Sequence, residues 1–216
     1  DILKRKIAPI SQAAWDEIDQ RAEEVLRAML SARKVLKVNG PKGWDYPAVP
    51  EGRLDILEEK KELSTGTYRL QKLVEVRRRF TLNRWELDNI ERGAKDIDLG
   101  PLEEAAEDIA LFEEELIYNG YQKGEVEGLS AAAAHQMSFG KTADAILKSI
   151  GEAKYALYNS YVLPPYDLVV SPEAYERLNK NYDGMNLFEE VEKIIEGEII
   201  RSKVVKGAIM VPHKDD

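Results

Sequence analysis

The chain has 216 residues, no cysteine, a formal net charge of −9 and a hydrophobic share of 44%, enough for one large domain or two intertwined lobes. No run of about 18 apolar residues is present to span a bilayer, the start ILKRKIAPIS turns polar too early for a secretory signal, and disulfides and thiolate metal sites are excluded; the expectation is a cytoplasmic protein. Residues 1–100 carry 20 Lys and Arg against 18 Asp and Glu, residues 101–216 carry 11 against 22, and an acidic half is unsuited to packaging nucleic acid, which needs a basic face against its phosphates.

Residues 1–10 read as a basic arm ahead of a helix capped by Ser11. Ile10 and Trp15 are placed to staple its start, and Trp15, Ile18, Ala22, Val25, Leu26 and Met29 form its apolar stripe. Val35 to Val38 reads as a short strand closed by the turn Asn39-Gly40-Pro41. After a loop over 41–52 come two strand-like runs, RLDIL and TYRLQKL, around EEKKELSTG. Such a hairpin is marginal alone in water, and this one has little to bury by itself, so it is expected either to lie across something else or to be an ordinary surface hairpin.

Val74, Val76, Phe80 and Leu82 alternate with polar residues, the period of a half-buried strand. Asn83 with Glu86 makes a capping box for a helix ended by Gly93. The next helix opens at Gly100-Pro101, with Glu103 and Glu104 at its positive start and Leu102, Ala105, Ile109, Phe112 and Leu116 as its buried stripe. Pro101 to Asn119 spans about 28 Å, long enough to be a spine.

Gly120 to Gly128 is a glycine-rich loop. Thr142 opens a helix with Ile146, Leu147, Ile150 and Leu157 inward, ending near Pro164-Pro165. A buried strand follows over Tyr166 to Val170, then a helix opened by Ser171-Pro172, a turn at Asn181-Tyr182-Asp183-Gly184, a helix from Leu187 to Glu196 stopped by Gly197, and strands at Ile199-Ile200 and Ala208 to Val211. Helices alternating with strands in this way make an α/β lobe.

Catalytic patterns are scarce. Gly140-Lys141-Thr142 resembles the end of a phosphate loop, but His135 stands where the first glycine is needed and no strand precedes it. The two histidines, His135 and His213, are too few for a His-rich metal site, and neither has Glu three residues before it. There is no Gly-x-Ser-x-Gly elbow. No catalytic residue, metal ligand or cofactor is assigned, and the protein is expected not to be an enzyme. Trp44, Tyr46 and Trp85 are expected to serve packing or subunit contacts rather than a ligand site.

The words LKRKIAPIS, AWDEIDQRA, NGPKGWDYPA and FTLNRWELDNIERG, in this order and spacing, resemble the shell proteins called encapsulins over nearly the whole chain. The resemblance implies an α+β fold of the HK97-type phage capsid proteins: an N-terminal arm and helix (1–33), a peripheral domain in two parts (34–48 and 74–122, the latter with the spine helix), an extended loop hairpin (49–73), and an axial α/β domain (123–216), with the C-terminal peripheral strands missing from the chain. It implies a homo-oligomeric icosahedral cage, without membrane or nucleic acid, around a cargo enzyme of the ferritin-like or peroxidase type. A ferritin-like domain is fused ahead of the shell domain in some archaeal members, and a start at Asp1 rather than Met is compatible with that.

By position, the resemblance assigns cargo docking to Leu26, Leu30 and Arg33, although Lys37 stands where an acidic residue is common. It assigns the five-fold pore loop to Asn181, Tyr182, Asp183 and Gly184, and inter-subunit contact in the extended loop to Arg53, Leu54, Ile56, Tyr68 and Leu70. Two alternatives are a virus capsid protein of the same fold, which would enclose nucleic acid, and a protease or bacteriocin-type activity, for which the sequence offers no residues.

Overall fold

The computed structural model describes residues 4–60, 62–182 and 184–214. In chain order the elements are a 3₁₀ turn Arg5–Ile7, helix α1 (Gln12–Met29), the single turn α2 (Ala32–Val35), strands β1 (Ala48–Glu59) and β2 (Ser64–Lys72), helices α3 (Arg84–Glu91) and α4 (Gly100–Tyr118), a second 3₁₀ turn Gln122–Gly124, α5 (Leu129–Ala132), α6 (Ala143–Asn159), β3 (Tyr166–Val170), α7 (Pro172–Leu178), the two-residue strands β4 (Asn181–Tyr182) and β5 (Met185–Asn186), α8 (Leu187–Ile195), β6 (Ile199–Arg201) and β7 (Ala208–Pro212). They fall into two compact units, one of Asp1–Leu30 with Val76–Glu113, the other of Ser31–Glu75 with Glu114–Asp216.

In the first unit α1 starts where Ser11 Oγ accepts the Ala14 N–H at 3.2 Å, satisfying a donor the helix itself leaves orphaned. Ala14 and Ile18 pack with Leu87, Leu99 and Leu102 into one apolar cluster that Ile10, Trp15 and Ala22 cover. The basic arm is tied down: Arg5 donates to both carboxylate oxygens of Asp19, at 2.5 and 2.7 Å, and its guanidinium stacks 4.6 Å from the Trp15 ring. α3 is capped by Asn83, whose Oδ1 accepts from Trp85 N at 2.9 Å. The box is not closed, because the Glu86 carboxylate accepts from Asn89 Nδ2 instead, at 3.5 Å.

The alternating stretch from Val74 to Leu82 forms no strand, contrary to its period. From Val76 on, the stretch lies in the first unit, which contains no strand among the described residues, so it has no ladder to join there.

The second unit is built on a three-stranded sheet in the order β6-β3-β7, with β6 parallel and β7 antiparallel to β3. All five residues of β3 are buried. On one side Tyr166, Leu168 and Val170 meet Ile146 and Ile150 of α6, Leu178 of α7 and Leu187, Val191 and Ile195 of α8. Val169 belongs to a second cluster with Ala32, Val35, Tyr118, Ile200, Val205 and Val211. Side chains that alternate along β3 thus feed two cores. Thr142 and Ser171 cap α6 and α7 as their sequences predict, their hydroxyls accepting from Ala145 N and Ala174 N at 3.3 and 3.1 Å.

Two expectations are corrected here. Val35 to Val38 is no strand; Val35 closes α2, whose start is held by a carboxylate far away in sequence, Glu114, which accepts from Ala32 N at 2.8 Å. The helix expected from Leu187 to Glu196 ends at Ile195, one residue earlier, and Gly197 is not the residue that turns left-handed at its end. Glu196 is, at φ 62°, because Gly197 lies against the β3 backbone, where a Cβ would meet Tyr166 O at 2.2 Å.

Candidate assembly surface

β1 and β2 form an antiparallel hairpin longer than the two runs predicted. Leu73 N donates to Pro47 O at its base and Lys60 N to Leu63 O at its turn. Two register shifts interrupt it, between Pro50 and Leu54 and between Ile56 and Glu58. Gly52, at φ 68°, and Arg53 occupy the first. These shifts set its faces. Leu54 pairs with Tyr68, Ile56 with Gly66 and Pro50 with Leu70, so Leu54, Ile56, Tyr68 and Leu70 share one side. Their exposures are 51, 67, 77 and 52%. The opposite side carries Asp55 and Arg69, joined at 2.6 Å, and the Arg69 guanidinium holds the Asp55 carboxyl below its ordinary range.

The hairpin is therefore amphipathic with its apolar side uncovered. Four of the five contact residues that the resemblance assigned lie on that side, and Arg53 sits exposed in the bulge beside it. Leu57, in the second bulge, and Leu63, at the turn, are 69 and 65% exposed and were not anticipated; for Leu57 the signal is the register shift, which only pairing reveals. Outside the hairpin, Leu73, Val76, Phe80 and Trp85 are also exposed, as are Tyr155, Tyr158, Tyr161 and Leu163 around the end of α6. On the hairpin itself, four apolar side chains exposed on one side mark a binding face.

The other assigned residues are placed as follows. Leu26 is half-buried on α1, Leu30 is buried as its C-cap and its N–H donates to Leu26 O at 2.9 Å, while Arg33 is exposed on α2, in the other unit. Asn181 and Tyr182 form β4, paired with β5 across a tip that includes Gly184, and Tyr182 packs against the sheet core; Asp183 lies outside the described residues. No group of three or more His, Asp or Glu able to hold a metal occurs among the described residues. Nor, among them, is any helix long and apolar enough to cross a membrane.

The chain matches, over residues 1–216, the family described as "Encapsulating protein for peroxidase". It is 34% identical over 222 residues to a type 1 encapsulin shell protein of Rhodospirillum rubrum, covering 98% of this chain and 79% of that one. A type 1 encapsulin shell protein of Rhodococcus erythropolis is 32% identical over 212 residues, covering 97% and 80%. Among solved structures, a virus-like particle from Pyrococcus furiosus superposes with a TM-score of 0.62 at 17% identity, covering 90% of this chain and 77% of the other.

Proposed function

Since the chain belongs to the encapsulin family, and is thus a shell protein of a nanocompartment with an HK97-type α+β fold, we propose that its copies close into an icosahedral cage around an enzyme of the peroxidase or ferritin-like type. The observation that carries this is the hairpin. Its strands of 12 and 9 residues are exposed along nearly their whole length, a condition an isolated two-stranded ribbon does not survive well in water. Laid over a neighbouring copy, Leu54, Ile56, Tyr68 and Leu70 lose that exposure, at roughly 25 cal/mol per Å² of apolar surface removed from water. Closed symmetry then repeats the same contact around the particle.

In this reading 49–73 is the extended loop, 34–48 and 74–122 the peripheral domain, and 123–216 the axial domain. α1 faces the lumen, with Leu26, Leu30 and Arg33 offered to a cargo segment, and residues 181–184 border a pore. The protein is a wall and not a catalyst, and it works in the cytoplasm. The family description names a peroxidase as what its members enclose, which supports a redox cargo for this shell.

Electron microscopy and native mass spectrometry of purified particles test the proposal. Uniform hollow shells holding a co-purified protein are expected. Monomers or small oligomers would refute the cage, and nuclease-protected nucleic acid inside it would make the particle a capsid instead.

A further inference from the structure

A cavity of about 460 Å³ lies in the second unit between α6, strands β3 and β7, and the segment that follows α5. Its volume has a local origin. Ala133, Ala134, Ala153 and Ala208 line it, and a methyl at each of these positions leaves space that a larger side chain would fill. Its most buried lining residues, Ile150 and Leu168, are apolar. Its exposed polar lining is formed by Ser130, His135, Gln136, Ser138, Ser160 and Lys206. Ser160 Oγ donates to Ala156 O at 3.0 Å, which leaves its lone pairs to accept from His135 Nε2–H at 3.3 Å, and this contact links the segment after α5 to the end of α6.

The charge is the second observation. The half of the chain from residue 101 on carries 22 Asp and Glu against 11 Lys and Arg, yet among the described residues no carboxylate lines this cavity and Lys206 does. An apolar floor of ligand-site size with a few convergent polar groups is the ordinary form of a small-molecule site, and the only full charge that the described residues offer here is positive.

We propose that this cavity binds a small amphiphilic anion, a carboxylic acid with an aliphatic or aromatic body, its head beside Lys206 and its body over Ile150 and Leu168. The site lies outside the hairpin.

Calorimetric titration of the purified protein with decanoate tests it. Saturable binding at one site per chain in the micromolar range is expected, at least tenfold weaker for decanol, which lacks the charge. Lys206→Met, a change at an exposed position, should weaken decanoate at least tenfold and leave decanol unaffected. Ala153→Trp, which plugs the cavity, should abolish both, with Ala208→Leu as a second plug and circular dichroism as the check on folding. No saturable heat, equal affinity of a folded plugged variant, or indifference to Lys206→Met would each overturn the proposal.

Discussion

The carboxylate of Glu114 receives the backbone N–H of Ala32 at 2.8 Å, a contact spanning 82 residues of sequence. Glu114 is 1% exposed and has no cation against it among the described residues. Its charge is met by donors alone: Ala32 N–H, the Ser31 hydroxyl, and the Ser202 hydroxyl at 3.0 Å. Because Ser31 gives its proton to Glu114, the Tyr118 hydroxyl, 3.0 Å away, is the donor in that pair. One acidic side chain thus fastens α2, α4 and the segment after β6.

Glu114→Leu leaves three buried donors without an acceptor, each costing about 1–3 kcal/mol, so a loss of roughly 3–5 kcal/mol is expected once the site relaxes. Glu114→Gln keeps one acceptor oxygen but turns an amide toward hydroxyls that are themselves donors, and should lose less. Thermal unfolding should rank wild type above Gln above Leu. Equal melting of Leu and wild type would show that the network contributes nothing.

The arm should be sensitive to acid. Arg5 holds the Asp19 carboxyl below its ordinary range through their hydrogen bonds. A depressed folded value means the contribution is present above the unfolded pKa, ordinarily about 3.9, and is lost as pH falls through the folded one. Arg5 stacks on Trp15, so Trp15 emission in a Trp44→Phe, Trp85→Phe background should change on acidification below about pH 4, the unfolded carboxylate range. In Asp19→Asn it should already be changed at neutral pH. Identical titrations of the two proteins would remove the arm contact from consideration.

Charge placed on the hairpin should separate folding from assembly. Ile56→Glu with Tyr68→Glu alters two exposed side chains and should leave the circular dichroism unchanged. Each of these apolar groups is worth about 1.5–3 kcal/mol when covered, and the loss recurs at every copy. Size-exclusion chromatography is expected to show particles replaced by small species. Intact particles from the doubly charged variant would mean that this side of the hairpin is no interface.

Gly197→Ala should cost more than its size suggests. The added methyl meets Tyr166 O, a backbone atom of the most buried strand, at 2.2 Å, so β3 or the chain after α8 has to move. A destabilisation of about 2–4 kcal/mol is expected, in the range for overpacking a well-filled core. Chemical denaturation measures it, and a loss below about 0.5 kcal/mol, the size of a surface change, would contradict the close approach.

Much of this was legible in the sequence where a local rule decides the outcome. Ser11, Thr142 and Ser171 cap their helices because one hydroxyl three residues from an orphan N–H suffices. The hairpin residues Leu54, Ile56, Tyr68 and Leu70 share a side because strands alternate. What failed depends on partners distant in sequence. Val74 to Leu82 carries a strand's period without a strand's neighbour, and Val35 is drawn into a helical turn by Glu114 rather than by its own neighbours. Glu196 takes an unfavourable backbone conformation because the glycine after it is needed against Tyr166 O. A void lined by alanines has no sequence signature, since emptiness depends on what fails to reach a place.

The unladdered stretch after β2 also bears on timing. In a lone copy its amides stand in no strand ladder among the described residues and should exchange hydrogen for deuterium far sooner than those in the centre of β3, which wait for global opening. If a neighbour completes that ladder, the same amides fall silent only when the wall closes, so a brief deuterium pulse during reassembly would record the instant at which each subunit is locked into place.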